Sequence, residues 1–199
     1  MRVSRDFTVD DWKALTFSSE DEWAKGVAIF KDRIETRYLE HVRALLQRKT
    51  SGFVVLALDC ALIETLEQFR RGTRKTPQRE GRQYFEAFLT QTEFGKHFDP
   101  TMAGMFYTEI RCGLLHQSEA GGASRVKRGS AFPLVSKTTD GTGIIINTPE
   151  FHSLLEKEFQ AYSASLVIGH DAQQRAAFKR KMDFICRIEE KEPVGAVVA

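Results

Sequence analysis

The sequence predicts an all-α fold: a bundle of about six helices, with one small β-hairpin inserted before the last pair. Three observations carry this expectation. Apolar residues recur at three- and four-residue steps over separate stretches, capping residues stand ahead of several of them, and the one change to strand-like patterning flanks Asp140-Gly141. With 199 residues, 42% hydrophobic and 28% charged, the chain suits a single globular domain over 1–199 with a core of its own.

Residues 1–17 carry Phe7, Val9, Trp12, Leu15 and Phe17, enough to pin a short arm onto the body. Ser19 with Glu22 three residues later is a capping box. Behind it Trp23, Val27, Phe30, Ile34, Tyr38, Val42 and Leu45 keep helical spacing over about residues 20–47. Thr50-Ser51-Gly52 breaks that helix, and Phe53-Val54-Val55-Leu56-Ala57-Leu58 opens a greasier one reaching about Arg70, expected at the centre of the bundle. Asp59 and Glu64 interrupt it. A carboxylate inside a core is costly unless paired, so each is expected at the polar edge, bonded to an Arg or Tyr, or orienting a functional side chain.

A basic loop over 71–82 leads to a shorter helix, about 83–92, with Tyr84, Phe85, Phe88 and Leu89. Asp99 followed by Pro100 starts the next helix, because Asp caps free amides and Pro at the first position loses a bond that is unmade anyway. Met102, Met105, Phe106, Ile110 and Leu114 give its apolar stripe, and Gly121-Gly122 is expected to stop it. Residues 132–148 read as a hairpin, with Pro133–Lys137 and Gly143–Asn147 around a two-residue Asp140-Gly141 turn. Thr148-Pro149-Glu150 starts a helix bearing Phe151, Leu154, Leu155, Phe159, Tyr162 and Leu166, ended by Gly169. Asp171 caps the last helix, with Phe178, Met182, Ile185 and Ile188, and a loose tail is expected over about 189–199.

The formal charge is only +2, but its distribution is uneven. Arg70, Arg71, Arg74, Lys75, Arg79 and Arg82 cluster with Glu80 as the one acid between them, and Arg125, Lys127, Arg128 and Lys137 lie in a stretch, 121–139, without any. Converging in space, these segments make a phosphate-attracting rim. Cys60, Cys112 and Cys186 form neither a disulfide framework nor a metal pattern, and no apolar signal core or membrane-length stretch is present, so a reducing cytoplasm and no membrane contact are expected. His97 and Asp99 lack further ligands at metal spacing. With no P-loop and no dinucleotide fingerprint, no cofactor is expected.

Chemically capable side chains interrupt an apolar face at close spacing in Arg111-Cys112-Gly113-Leu114-Leu115-His116. Ser118 beside His116 lacks the strained elbow of a nucleophile, and a half-buried structural cysteine is the commoner reading of Cys112. An Arg and a His with basic loops nearby suit metal-free phosphodiester chemistry. Imidazole titrates near neutral pH and can move the proton of a ribose 2′-hydroxyl, while a guanidinium holds two phosphate oxygens. Five helical residues turn through about 500°, leaving the two side chains roughly 140° apart. A shared phosphate then requires a folded-back Arg, a locally widened helix, or Arg and His from two copies of the chain.

An Arg and, a few residues on, a His late in a helix of a small helical domain resembles the motif of the HEPN (higher eukaryotes and prokaryotes nucleotide-binding) superfamily. Many of its members are metal-independent ribonucleases of bacterial toxin, abortive-infection and CRISPR-associated systems. The likeness covers about residues 20–120 and 149–188. It implies Arg111 and His116 as a catalytic pair, Asp59 or Glu64 as supports, RNA as substrate, a homodimer with facing motifs, and a cognate antitoxin or other regulatory partner. It equally admits a HEPN-type binding or regulatory module that holds RNA or a nucleotide without cutting it. Cys112 departs from the polar residue, commonly Asn, that often follows the Arg, and the hairpin is no part of the minimal pattern. The remaining reading is a helical interaction protein in which His116 offsets the negative end of its helix and Arg111 pairs with Asp59 or Glu64.

Overall fold

The structure, a computed structural model, describes residues 1–129 and 131–188; the tail expected over 189–199 lies outside the described residues. Helix α1 (Val9–Lys13) is a short arm closed by a capping box between Thr8 and Asp11. Its Trp12 is buried and donates its indole N–H to Asp183 at 2.8 Å. Helix α2 (residues 20–46) starts at Ser19, whose hydroxyl accepts from the Glu22 amide. Within it Glu35–Leu39 form a π turn. The wider turn brings Ile34 and Leu39, five residues apart, onto one line, so Leu39 enters the core at the place expected for Tyr38, which is only half-buried.

Helix α3 (Gly52–Arg71) is the centre, touching the helices before and after it on most sides. It ends at Gly72 in the left-handed region (φ 67°), where a Cβ would meet the Ala177 backbone at 2.7 Å. Helix α4 (Gly81–Gln91) and a 3₁₀ turn (Glu93–Lys96) lead to α5 (residues 100–117). Helix α5 stops at Ser118, itself left-handed at φ 58°, rather than at Gly121-Gly122. The reason lies at Gly113: the chain folds back so tightly that a Cβ there would stand 2.4 Å from the Glu119 carbonyl. Helices α6 (Thr148–Ile168) and α7 (Ala172–Ile185) complete the bundle, α7 capped by Asp171 as its sequence predicts.

The β element is larger than a hairpin. Strand β2 (Val135–Lys137) pairs antiparallel with β3 (Ile144–Asn147), and β1 (Arg125–Lys127) pairs parallel with β3 on the other side, giving the order β1-β3-β2. The basic stretch expected as loop therefore contains an edge strand. The hairpin turn also exceeds two residues: Thr138 and Gly143 still pair, and Asp140 accepts from Thr138 and Thr142 inside the loop. Ser124 fastens the sheet to α5, donating to Glu109 at 2.5 Å and accepting from the Ile144 amide at 2.9 Å. Phenylalanines fill the core. Phe30, Phe69, Phe159 and Phe178 meet at α2, α3, α6 and α7, and Phe106 stacks on Phe151 with centroids 5.1 Å apart. Each such ring stabilises the fold by roughly 1.5–3 kcal/mol through burial. Among the described residues no helix is long and apolar enough to cross a membrane.

Candidate functional site

Asp99 caps α5 through the Met102 amide at 2.7 Å, with Pro100 in the first turn. Met102, Phe106, Ile110 and Leu114 are buried, each four residues from the next. In a regular helix such a stripe drifts around the axis; the π turn over Phe106–Arg111 rewinds it. From Cys112 to Gln117 the helix is regular. The widened segment thus ends where the interval from Arg111 to His116 begins, and the two side chains keep their separation of roughly 140°.

Arg111 leans back one turn, its guanidinium 5.5 Å from the centre of the Tyr107 ring. Its Nη2 donates to Glu64 Oε2 at 3.4 Å, and its Nε is buried with no hydrogen-bond partner among the described residues. Burial works against its charge, but the Cys112 sulfur and the Glu64 carboxylate outweigh it and hold the pKa above the ordinary value. Cys112 itself is half-buried. His116 is exposed in the last turn and makes no hydrogen bond or ion pair among the described residues.

Glu64 is held from its other side. Thr76 of the basic loop donates to Oε1 at 2.8 Å, Gln68 donates to Thr76 at 2.8 Å, and Lys181 donates at 2.6 Å to both the Gln68 side chain and the Arg74 carbonyl. Lys181 is 5% exposed, and burial brings its pKa down to about 8. None of Thr76, Gln68 or Lys181 was legible as a neighbour of Arg111, because the contacts join residues far apart in sequence.

Asp59 does not serve Arg111 or His116. It is fully buried and its Oδ1 pairs with Nδ1 of His152 on α6 at 2.8 Å, while Oδ2 and His152 Nε2 have no hydrogen-bond partner among the described residues. Glu156 stands 3.8 Å from Nε2 and is itself ion-paired to Arg43. Burial raises the Asp59 pKa, only partly offset by the hydrogen bond and charge of His152. The signal for His152 was its place in the apolar stripe of α6, beside Phe151 and Leu155.

The expected rim of cations divides. Arg70 pairs with Glu158 at 3.3 Å and with Glu67 at 3.5 Å, and Arg71 pairs with Glu67 at 2.7 Å and lies over Tyr84, so both are largely neutralised. Arg74 and Lys75 are exposed on the loop. Arg128 donates to the Leu46 and Arg48 carbonyls, which closes the C-terminal end of α2. Arg125 bonds the neighbouring Gly122 and Ser124 carbonyls, and Lys127 lies over the Phe132 ring at 4.6 Å.

Four clefts, of about 520, 290, 480 and 410 Å³, are lined by residues other than Arg111 and His116. Among the described residues no three His, Cys, Asp or Glu side chains stand together as a metal site. No family model, no curated protein and no solved structure matches this chain.

Proposed function

We propose that the chain is a HEPN-type, metal-independent endoribonuclease acting as a homodimer. The supporting observation is Arg111. A guanidinium offers five donors, yet here the one carboxylate contact is long, at 3.4 Å, and Nε is unpartnered. An arginine kept purely for structure satisfies its donors more fully than this. Arg111 holds the phosphate, and Glu64 positions it. His116 takes the proton of the 2′-hydroxyl as that oxygen attacks phosphorus, or gives one to the departing 5′-oxygen. The products are a 2′,3′-cyclic phosphate and a 5′-hydroxyl. Within one protomer Arg111 leans toward Tyr107 and away from His116, so a shared phosphate takes Arg111 from one protomer and His116 from its partner. The toxin or defence setting, and a restraining antitoxin or regulatory partner, rest on the family resemblance alone.

A second reading is a HEPN-type module that binds RNA or a nucleotide without cutting it. Cys112 after Arg111 and the Glu64 carboxylate, which competes with phosphate for the guanidinium, favour it. A helical interaction protein with a structural Arg111 is the third, and the half-buried Arg111–Glu64 pair supports it.

The test incubates purified protein with total RNA in EDTA, beside Arg111→Ala and His116→Ala. Cyclic-phosphate ends that vanish in both folded variants support the ribonuclease. Intact RNA with bound protein favours the second reading, and neither cleavage nor binding favours the third.

A further inference from the structure

The turn between α2 and α3 meets strand β1 in a basic corner. Lys49, Phe53, Val126, Lys127 and Arg128 line a cleft of about 290 Å³, and Lys49 and Arg128 continue into a second of about 480 Å³. The close approach of Gly52 to Val126, where a Cβ would stand 3.0 Å from Cγ1, forms the floor.

Two features coincide at this corner. Several arginines of the chain are matched to carboxylates, as in Arg43–Glu35, Arg71–Glu67 and Arg175–Glu20. Here Arg48, Lys49, Arg125 and Lys127 form no ion pair among the described residues. Aromatic rings also come to the surface: Phe53 is 45% exposed and Phe132, under Lys127, 36%, whereas most phenylalanines are buried. Exposing such rings forfeits burial energy, so two of them among unpaired cations need an account.

We infer that this corner is a single-stranded RNA platform, in which Phe53 and Phe132 stack on bases while Lys49 and Lys127 hold the intervening phosphates. Unpaired bases present the ring faces that phenylalanine stacks on; a duplex keeps those faces inside and offers only phosphates and 2′-hydroxyls. Arg128, committed to the end of α2, shapes the cleft instead of gripping the strand. From Phe53 to Glu64 helix α3 rises about 16 Å, which sets the distance along α3 between this corner and the residue that meets Arg111. The inference rests on the RNA reading above and names its substrate as unpaired.

The probe is a fluorescein-labelled 2′-O-methyl oligonucleotide of about 12 nucleotides, which has no free 2′-hydroxyl to be cut, with a duplex of the same length for comparison. Fluorescence anisotropy over a salt series is expected to show Phe53→Ala/Phe132→Ala weakening single-strand binding by about 10- to 100-fold with the salt slope intact. Lys49→Ala/Lys127→Ala is expected to flatten the slope by about 1.4. Wild-type binding by the phenylalanine variant, equal affinity for the duplex, or a change in oligomer mass on losing Phe53, which would mark a protein interface, overturns the inference. Stacking without cleavage leaves this platform standing and removes the ribonuclease; cleavage with binding indifferent to Phe53 does the reverse.

Discussion

Glu64 and Arg111 meet at 3.4 Å where α3 packs on α5, and the second oxygen of Glu64 is taken by Thr76 of the basic loop. One carboxylate therefore fixes both an arginine and a loop. Glu64→Gln keeps an acceptor for Thr76 but removes the charge facing Arg111. It is expected to lower stability by about 1–2 kcal/mol, tighten RNA binding and slow cleavage about tenfold or more. Urea denaturation, anisotropy and single-turnover cleavage measure the three effects, and an unchanged cleavage rate removes Glu64 from a positioning role.

Among the described residues, His152 is the one side-chain hydrogen-bond partner of a fully buried Asp59. His152→Ala strands that carboxylate and is expected to cost about 3–5 kcal/mol at neutral pH, whereas Asp59→Leu/His152→Leu recovers most of the loss. Urea unfolding of the three proteins checks this; a double variant as unstable as His152→Ala contradicts it.

Burial raises the pKa of Asp59 above its ordinary 3.8. Folded protein then binds the proton more tightly than unfolded chain, so this contribution is fully present below the unfolded pKa and is lost as pH rises through the raised one. Measured by urea unfolding, wild type is expected to lose stability relative to Asp59→Asn as pH rises above about 4, the ordinary carboxylate value. A difference independent of pH contradicts the assignment.

Lys181 joins α7 to the basic loop through Gln68 and the Arg74 carbonyl. Lys181→Ala leaves that carbonyl and Gln68 short of a donor, at about 1–3 kcal/mol. Hydrogen exchange is expected to speed up through residues 73–80 and to stay unchanged in α4; protection unaltered in the loop rules out the clamp.

Local signals carried most of the helical layout. Ser19, Asp99 and Asp171 cap the helices they precede, and the greasy run from Phe53 forms the central helix. What escaped was non-local or broke the helical period. Leu39 follows Ile34 by five residues, a step that only the π turn places on one line. Strand β1 has a single apolar residue, Val126, between Arg125 and Lys127, and it pairs with a strand well beyond it in sequence. At the site, the spacing marked Arg111 and His116, and Glu64 was one of two carboxylates offered to Arg111. His152 hid in an apolar stripe, while Thr76 and Lys181 reach Glu64 and Gln68 only through the tertiary fold.

The central claim is a site shared between two protomers, and mixing Arg111→Ala with His116→Ala tests it most directly. Each variant alone lacks one member of every shared site and is expected to leave RNA intact in EDTA. Subunit exchange makes half the dimers mixed, and each of these regains one of its two sites. The mixture should therefore recover about a quarter of wild-type cleavage, with cyclic-phosphate ends. No recovery, with mixed dimers present by native mass spectrometry, contradicts the account.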